Sequence, residues 1–323
     1  MPSVSVIIPT YNRCGLLKEA VESVLQQTYA DLEVLVVDDG SSDDTRSVVA
    51  HILDRRIRYL HKHNGGQSSA LNLAFIKATG KYIAYLDEDD LWPPDYLKTM
   101  VNELDTKKDY GLAYARVVAL YPDGTKKEST RTQQCKSGWI TKYFFEVYPG
   151  LMPSGACLRR SACQGVFWDE ALRRSPDYDF FLRVSTRLPF LFVPNAHIIK
   201  RWYPENLSSS KDPISFIEKA HILERFLFHL DGRRYVSPRS IRRKISRNYR
   251  KAAKILYALG NRDAAISLIE KAIRYYPMDM RLFVDLLAIL LKTKNQKNVY
   301  SWQMPPPLPA FISVTQDSAD CRT

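Results

Sequence analysis

The chain has no C-x-x-C pair. Its five cysteines, Cys14, Cys135, Cys157, Cys163 and Cys321, are scattered and odd in number. That pattern argues against a zinc site or a disulfide framework and suits reduced thiols in a cytosolic protein. Long apolar runs are also missing. The longest near the C-terminus, Phe283 to Leu291, is interrupted by Asp285, and a spanning helix needs about 20 apolar residues. The opening MPSVSVIIPTYNR has no basic segment before its short apolar run, so no secretory signal is expected. Two phosphate cradles are absent as well. No G-x-G-x-x-G follows the first strand pattern, and no G-x-x-x-x-G-K-[ST] occurs anywhere.

Over 323 residues, 45% are apolar and 25% charged. These ordinary values exclude a disordered chain, a collagen and a coiled-coil rod. The length suits one large domain or two ordinary ones. The net charge of +12 first suggests a polyanion partner, but it is not spread evenly. Residues 1–230 carry +1 and residues 255–323 carry +2, whereas residues 231–254 hold 10 basic and 1 acidic side chains. The basicity is one 24-residue block on a nearly neutral protein.

The first hundred residues alternate between strand and helix patterns. Strand runs fall at Val4–Pro9, Glu33–Val37, Ile57–Leu60 and Tyr82–Leu86. Helical periodicity covers Leu16–Gln27, a helix opens at Ser41-Ser42-Asp43-Asp44, and Gly66–Ala78 and Pro94–Leu104 complete the series. Continuous apolar strands separated by helices predict a parallel sheet covered on both faces. From Tyr110 the character becomes α+β. A hairpin is expected over Leu112–Tyr121 and Thr125–Ser129, turning at Pro122-Asp123-Gly124. A helix follows at 176–188, and an extended segment at 190–203. Pro213 to Lys294 reads as helix, and the proline-bearing tail from residue 301 as flexible.

Ligands of a doubly wound sheet bind beyond the carboxyl ends of its strands. The four strand runs end in Pro9-Thr10-Tyr11-Asn12, Asp38-Asp39-Gly40-Ser41, His63-Asn64-Gly65-Gly66 and Asp87-Glu88-Asp89-Asp90. Four polar or glycine-containing clusters on one rim point to a nucleotide-type site. Without a backbone anion cradle, phosphate must be neutralised in another way. Carboxylates do so through a divalent ion, since Mg²⁺ and Mn²⁺ take oxygen ligands from one or two carboxylates plus phosphates. A solvated acidic loop capping the next helix is the alternative reading of the same residues.

In this order and spacing, VSVIIPTYNR, VLVVDDGSSDDT, HNGGQSSALNLAF and GKYIAYLDEDDLWPPDYL resemble the family 2 glycosyltransferases of the GT-A fold. The match is close over about the first 105 residues and looser to about 210. The resemblance implies an α/β, Rossmann-like mixed sheet, followed here by an all-helical C-terminal extension. It implies transfer of a sugar from a nucleotide-diphosphate donor, usually a UDP-sugar, with Mg²⁺ or Mn²⁺ and with inversion. Pro9 and Tyr11 match positions beside base and ribose, and Asp39 the acid that binds the base. Asn64, Gly65, Gly66 and Gln67 match the loop lining the donor. Asp87 and Asp89 match the D-x-D pair, with Asp89 the metal ligand and Asp87 nearer the ribose. Leu71 stands where many relatives carry Arg.

Ser175-Pro176-Asp177-Tyr178-Asp179 resembles the family's E-D-Y-D segment, with Ser-Pro in place of the usual leading residues. By register Asp177 matches the catalytic base. An acceptor hydroxyl must lose its proton as it attacks, and a positioned carboxylate can take it. Asp179, two residues on, points elsewhere on a helix and suits a cap or salt bridge. Arg201, opening the segment Arg201 to Ser208, is either a diphosphate contact or an ordinary strand arginine. Trp139 and Trp168 are either an acceptor platform or core. The expected layout is a GT-A domain over 1–212, split into a donor half 1–105 and an acceptor half 106–212. A helical extension over 213–300 and a tail over 301–323 follow.

Leu259-Gly260-Asn261 to Ile266, with Ala272 and Pro277, fits the second helix of a tetratricopeptide-like hairpin, in a single copy where about three are needed for a solenoid. In the basic block, Ile241, Ile245, Tyr249 and Ala252–Ala253 form an apolar stripe on a helix starting at 238. Membrane-surface docking through 233–254 and a merely solvated basic helix are both open. Nucleic acid is disfavoured, since no binding module accompanies the charge. The expected place is the cytoplasm, with peripheral contact at the inner face of the cell membrane. The acceptor would be a saccharide, a lipid-linked molecule or a protein, in polysaccharide or glycoconjugate synthesis. A nucleotidyltransferase and a non-catalytic nucleotide-sugar or partner-binding module are the alternatives.

Overall fold

The computed structural model of the chain describes residues 1–202, 212–291 and 305–308. The segment Tyr203 to Ser208 and most of the proline-bearing tail lie outside the described residues. The described residues divide into two compact units. The first holds 1–170 and 180–202; the second holds 171–179, 212–291 and 305–308.

The first unit is built on a nine-stranded sheet. Its parallel part is β1 (Val4–Thr10), β2 (Leu32–Asp38), β3 (Ile57–His61) and β4 (Tyr82–Tyr85), in the order β3-β2-β1-β4. All seven residues of β1 and of β2 are buried, as apolar runs must be when helices cover both sheet faces. Between them, α1 (Cys14–Leu25) buries Leu17, Ala20, Val21 and Val24 at helical spacing. α2 (Thr45–Ala50), α3 (Gln67–Lys77) and α4 (Tyr96–Thr106) complete the alternation. Truncating a fully buried core side chain such as Ile7 to Ala would cost about 2–5 kcal/mol.

The sheet continues, in this order, through β8 (Ala156–Arg159), β6 (Leu112–Leu120), β9 (Phe190–Arg201) and β5 (Asp90–Leu91). β6 (Leu112–Leu120) and β7 (Lys126–Glu128) form the expected antiparallel hairpin. Gly124 in its turn takes φ +81°, a left-handed conformation that favours glycine. Three features were not expected. A short α5 spans Thr141–Val147. β8 (Ala156–Arg159) inserts antiparallel between β4 and β6. β5 (Asp90–Leu91) pairs antiparallel with β9 (Phe190–Arg201). α6 (Pro176–Ser185) has residues in each unit. Cys14, Cys135, Cys157 and Cys163 are free thiols.

The second unit contains α7 (Pro213–Phe228), α8 (Pro238–Ala258), α9 (Arg262–Tyr275) and α10 (Met280–Leu291). α8 and α9 form a hairpin. Gly260 turns it with φ +88°, and the Asn261 N–H donates to the Leu256 carbonyl at 2.9 Å. The apolar stripe of α8 does not face a lipid surface. Ile241, Ile245, Tyr249, Ala252 and Ala253 are buried, and α8 packs on α7 and α9. The Tyr249 hydroxyl donates to Glu224 of α7 at 2.6 Å, and its ring lies 6.1 Å from that of Tyr275 on α9. The stripe is therefore interhelical core, which corrects its reading as a membrane-facing surface. Arg239, Arg242, Arg243, Arg247, Lys251 and Lys254 stay exposed. No helix of the described residues is long and apolar enough to cross a membrane.

Candidate active site

The parallel register brings Thr10 beside Asp38 and Asp38 beside His61, so three strands reach one rim together. β4 ends at the same edge, where the Leu86 N–H donates to Ile7. Side chains knit the four loops into one surface. Asn12, at φ +53°, accepts from the Ser42 N–H at 2.8 Å, and its own N–H donates to Ser41 Oγ at 2.9 Å. Tyr11 is 47% exposed on the rim, and its N–H donates to Glu88 at 3.2 Å. Pro9 is buried in β1 opposite Val37.

The Asp38-Asp39 pair divides its work. Asp38 accepts from the Ser41 N–H at 2.7 Å and from the Tyr59 hydroxyl, which fixes the turn. Asp39 is buried and organises the third loop. Its Oδ1 accepts from Lys62 Nζ at 2.7 Å and the Gly65 N–H at 2.9 Å, and its Oδ2 from the Gly66 N–H at 2.7 Å. A carboxylate has about four acceptor positions, so Oδ2 retains acceptor capacity. The N–H groups of Gly65 and Gly66 are used within the protein, so these glycines shape the rim. A Cβ on Gly65 would lie 2.8 Å from Lys62 Nζ. Asn64 is exposed beside them. Gln67, the first residue of α3, donates from Nε2 to Asp87 Oδ1 at 2.8 Å, joining two of the expected donor residues.

Oxygens of Asp87, Asp89 and Asp90 all lie within 4.8 Å of one another. Asp90 is fully buried, and neither of its carboxylate oxygens has a hydrogen-bond partner. Burial lifts the Asp87 carboxyl well above the usual range, and the charges of Asp90 and Asp89 add to this. Burial also raises Asp90, against the opposing charge of Lys200, and pushes Glu88 up to about 7. Crowded, desolvated carboxylates are costly unless a cation joins them. The donors are all oxygen, so the set fits Mg²⁺ or Mn²⁺. Arg13 approaches from the first loop, 3.4 Å from Asp89 and 3.6 Å from Glu88.

Arg201 lies beneath this loop. Only 5% exposed, it donates to the carbonyls of Asp89 at 2.8 Å, Glu88 at 3.0 Å and Leu16 at 3.2 Å, and pairs with Glu19 at 2.7 Å. The structure therefore shows Arg201 bracing the acidic loop. Ser154 supports the loop from β8's approach: its Oγ accepts from the Asp87 N–H at 3.0 Å, and its carbonyl from Trp92 Nε1 at 2.7 Å. Trp168 is core, stacked on Phe180 with centroids 4.1 Å apart, whereas Trp139 is 65% exposed. Leu71 is buried. Its neighbour Asn72 bonds the Trp168 backbone in both directions, at 2.9 and 2.8 Å.

Asp177 stands half-buried in the first turn of α6, in the second unit. Asp179 is fully buried and ion-paired with Arg225 of α7. Glu218 of α7 accepts three successive N–H bonds, from Arg173 and Arg174 at 2.8 Å and Ser175 at 2.9 Å. It thereby fixes the turn leading into Asp177. Glu218, Ser154 and Lys62 were not recognised from the sequence. Glu218 and Ser154 leave only a polar residue among apolar neighbours as a signal, and Lys62 lies in the polar run His61 to Asn64.

A mixed sheet with four polar loops on its parallel rim and an acidic triad on the fourth defines the GT-A class of folds. Solved structures agree. TarS residues 1–349 of S. aureus, in complex with UDP-GlcNAc, matches with TM-score 0.63 at 18% identity, over 88% of this chain and 83% of that one. The mannosyltransferase PcManGT of Pyrobaculum calidifontis, in complex with GDP-Man and Mn²⁺, matches with TM-score 0.53 at 18% identity, over 91% and 88%. The family model for glycosyl transferase family 2 matches residues 5–167, and the chain belongs to that family. An uncharacterised glycosyltransferase of Rickettsia felis is 48% identical over 252 residues, covering 71% of this chain and 38% of that protein. The chain thus spans well under half the length of this relative.

Proposed function

We propose that this chain transfers a sugar from a nucleotide-diphosphate donor, a UDP-sugar first among candidates, to an acceptor hydroxyl. The observation that carries the reading is the Asp87, Asp89 and Asp90 triad, within 4.8 Å, on the strand rim of a family 2 chain. The nucleotide sugars named for TarS and PcManGT, and the Mn²⁺ of the latter, support it. Asp89 and Asp87, joined by Asp90, would hold Mg²⁺ or Mn²⁺. When bound, the ion supplies positive charge to the departing nucleoside diphosphate. Asp39 receives the base N–H, with Pro9 and Tyr11 beside base and ribose. Asn64 to Gln67 line the donor, and Arg201 keeps the acidic loop in place.

Asp177 takes the proton of the acceptor hydroxyl as its oxygen bonds to the anomeric carbon. The bond from that carbon to the diphosphate breaks in the same displacement, its electron pair leaves with the nucleoside diphosphate, and the carbon inverts. Residues 1–212 form the catalytic domain in this reading, and 213–300 a helical extension with a tetratricopeptide-like hairpin for acceptor or partner docking. The exposed arginines and lysines of 233–254 offer an anionic membrane surface a charge contact without insertion.

The test is a panel of nucleotide sugars with Mn²⁺, read by thermal shift and then by product analysis, because a bound donor stabilises by mass action. Release of nucleoside diphosphate with an inverted glycoside is expected. Pyrophosphate as product would identify a nucleotidyltransferase, and donor binding without turnover a binding module.

A further inference from the structure

We propose that Lys200 binds the distal phosphate of the nucleotide donor and, before donor and cation arrive, serves as the counter-charge of the acidic cluster. This rests on the glycosyl-transfer reading and adds to it a residue that the motifs do not mark.

Strand pairing places Lys200 beside the acidic loop. The two-residue strand β5 opposes β9 with Asp90 facing Lys200 and Leu91 facing Ile199. Directly opposed residues of an antiparallel pair project from the same sheet face, with Cβ atoms about 4.5–5.5 Å apart. Lys200 therefore rises on the face that carries Asp90, whose oxygens lie within 4.8 Å of those of Asp87 and Asp89. The next residue, Arg201, takes the opposite face and is held by four bonds under the acidic loop. That anchor pins β9 and sets the direction of Lys200.

Lys200 is half-buried, and among the described residues it forms no ion pair within 4 Å. Opposed to Asp90 across the strand pair, it is placed to offset the cluster and is not locked to one carboxylate. With a divalent cation engaged by the carboxylates, a donor phosphate would give Lys200 its charged hydrogen-bond partner. An ammonium is a compact charge on a flexible four-carbon stem, so it can follow a phosphate as the sugar bond breaks. Arg201 cannot do so, because its guanidinium is committed to the loop.

Calorimetric titration separates the two roles. Mn²⁺ alone, and UDP at saturating Mn²⁺, are titrated into wild type, Lys200→Met and Lys200→Arg, with thermal unfolding to confirm folding. Lys200→Met should bind UDP roughly tenfold or more weakly, the size of a lost charged hydrogen bond. The same variant should bind Mn²⁺ alone more tightly, because a competing cation is gone. Lys200→Arg should retain most of the UDP affinity. Weaker UDP binding with unchanged Mn²⁺ affinity would support the phosphate contact and overturn the counter-charge role. Loss of UDP and Mn²⁺ affinity together would mark a structural prop and overturn the proposal. Unchanged UDP affinity in Lys200→Met, with wild type binding both, would overturn Lys200 alone and leave the donor reading standing. A wild type that takes Mn²⁺ but neither UDP nor any other nucleoside diphosphate would overturn both.

Discussion

Asp179 and Arg225 form an ion pair in which each side chain is only 1% exposed. Breaking a buried pair from one side leaves an uncompensated charge, at a cost of about 3–5 kcal/mol. Arg225→Ala and Asp179→Ala should each lose stability of that order in urea unfolding. Arg225→Met combined with Asp179→Leu should recover much of it. A loss below about 1 kcal/mol in both single variants, the range of exposed pairs, would show that the pair is not an anchor.

Asp177 carries the base role in the proposed reaction. One acid of the Asp177-Tyr178-Asp179 segment is committed to Arg225, and Asp177 in the first turn of α6 is only half-buried. Asp177→Asn should keep wild-type stability and UDP affinity while losing at least about 100-fold in turnover, the lower range for a general base. Asp89→Ala should instead lose metal-dependent donor binding. Wild-type turnover in Asp177→Asn would remove it as the base.

Glu218 offers a different test, because it acts on the backbone before Asp177. Three N–H groups converge on one carboxylate, itself only 3% exposed. Glu218→Ala would leave them without that acceptor, at about 1–3 kcal/mol for each that stays buried. Turnover should fall with UDP affinity unchanged, and Glu218→Gln should restore part of the rate. An equal loss in UDP affinity would place its role elsewhere.

The parallel half of the sheet was readable because β1 and β2 are mainly apolar, polar only at Ser5, Thr10, Glu33 and Asp38, and α1 between them repeats at helical spacing. β8 was not: it is four residues long, preceded by Pro153-Ser154-Gly155, and defined by partners distant in sequence. The stripe of α8 shows a different limit. Its periodicity marked an apolar face, but periodicity does not say what covers that face, and here it is α7 and α9. In the site, motif residues on the loops were legible. The Asp90–Lys200 pairing and the Arg201 brace were not, because strand register across about 110 residues leaves no local trace.

Gly40 joins the second and third loops. It sits at φ +81°, and a Cβ there would lie 2.9 Å from the Asn64 backbone nitrogen and 3.3 Å from the Lys62 carbonyl. Gly40→Ala combines a left-handed backbone with a main-chain clash, so a destabilisation of about 1–3 kcal/mol is expected. Displacement of Asn64 should also weaken UDP binding. Gly124→Ala, with open space around it at the hairpin turn, is the control. It should lose stability from strain alone and keep UDP affinity.

Acid sensitivity should originate away from the active rim, at Glu33 on β2. Burial raises its pKa, but bonds from Ser5 at 2.6 Å, Thr79 at 2.7 and 2.8 Å and Arg58 at 2.8 Å prevail and hold it down at about 2. A carboxyl depressed below its ordinary value near 4.5 stabilises the fold fully above that value. The contribution fades as pH falls through about 2. The unfolded chain takes up the proton first, so stability should drop between roughly pH 5 and pH 2. At about 1.4 kcal/mol per unit of displacement, the loss is a few kcal/mol. Glu33→Gln should be less stable than wild type at pH 7 and should flatten the slope across that window. A wild-type slope that survives the substitution would assign the acid transition to another carboxylate.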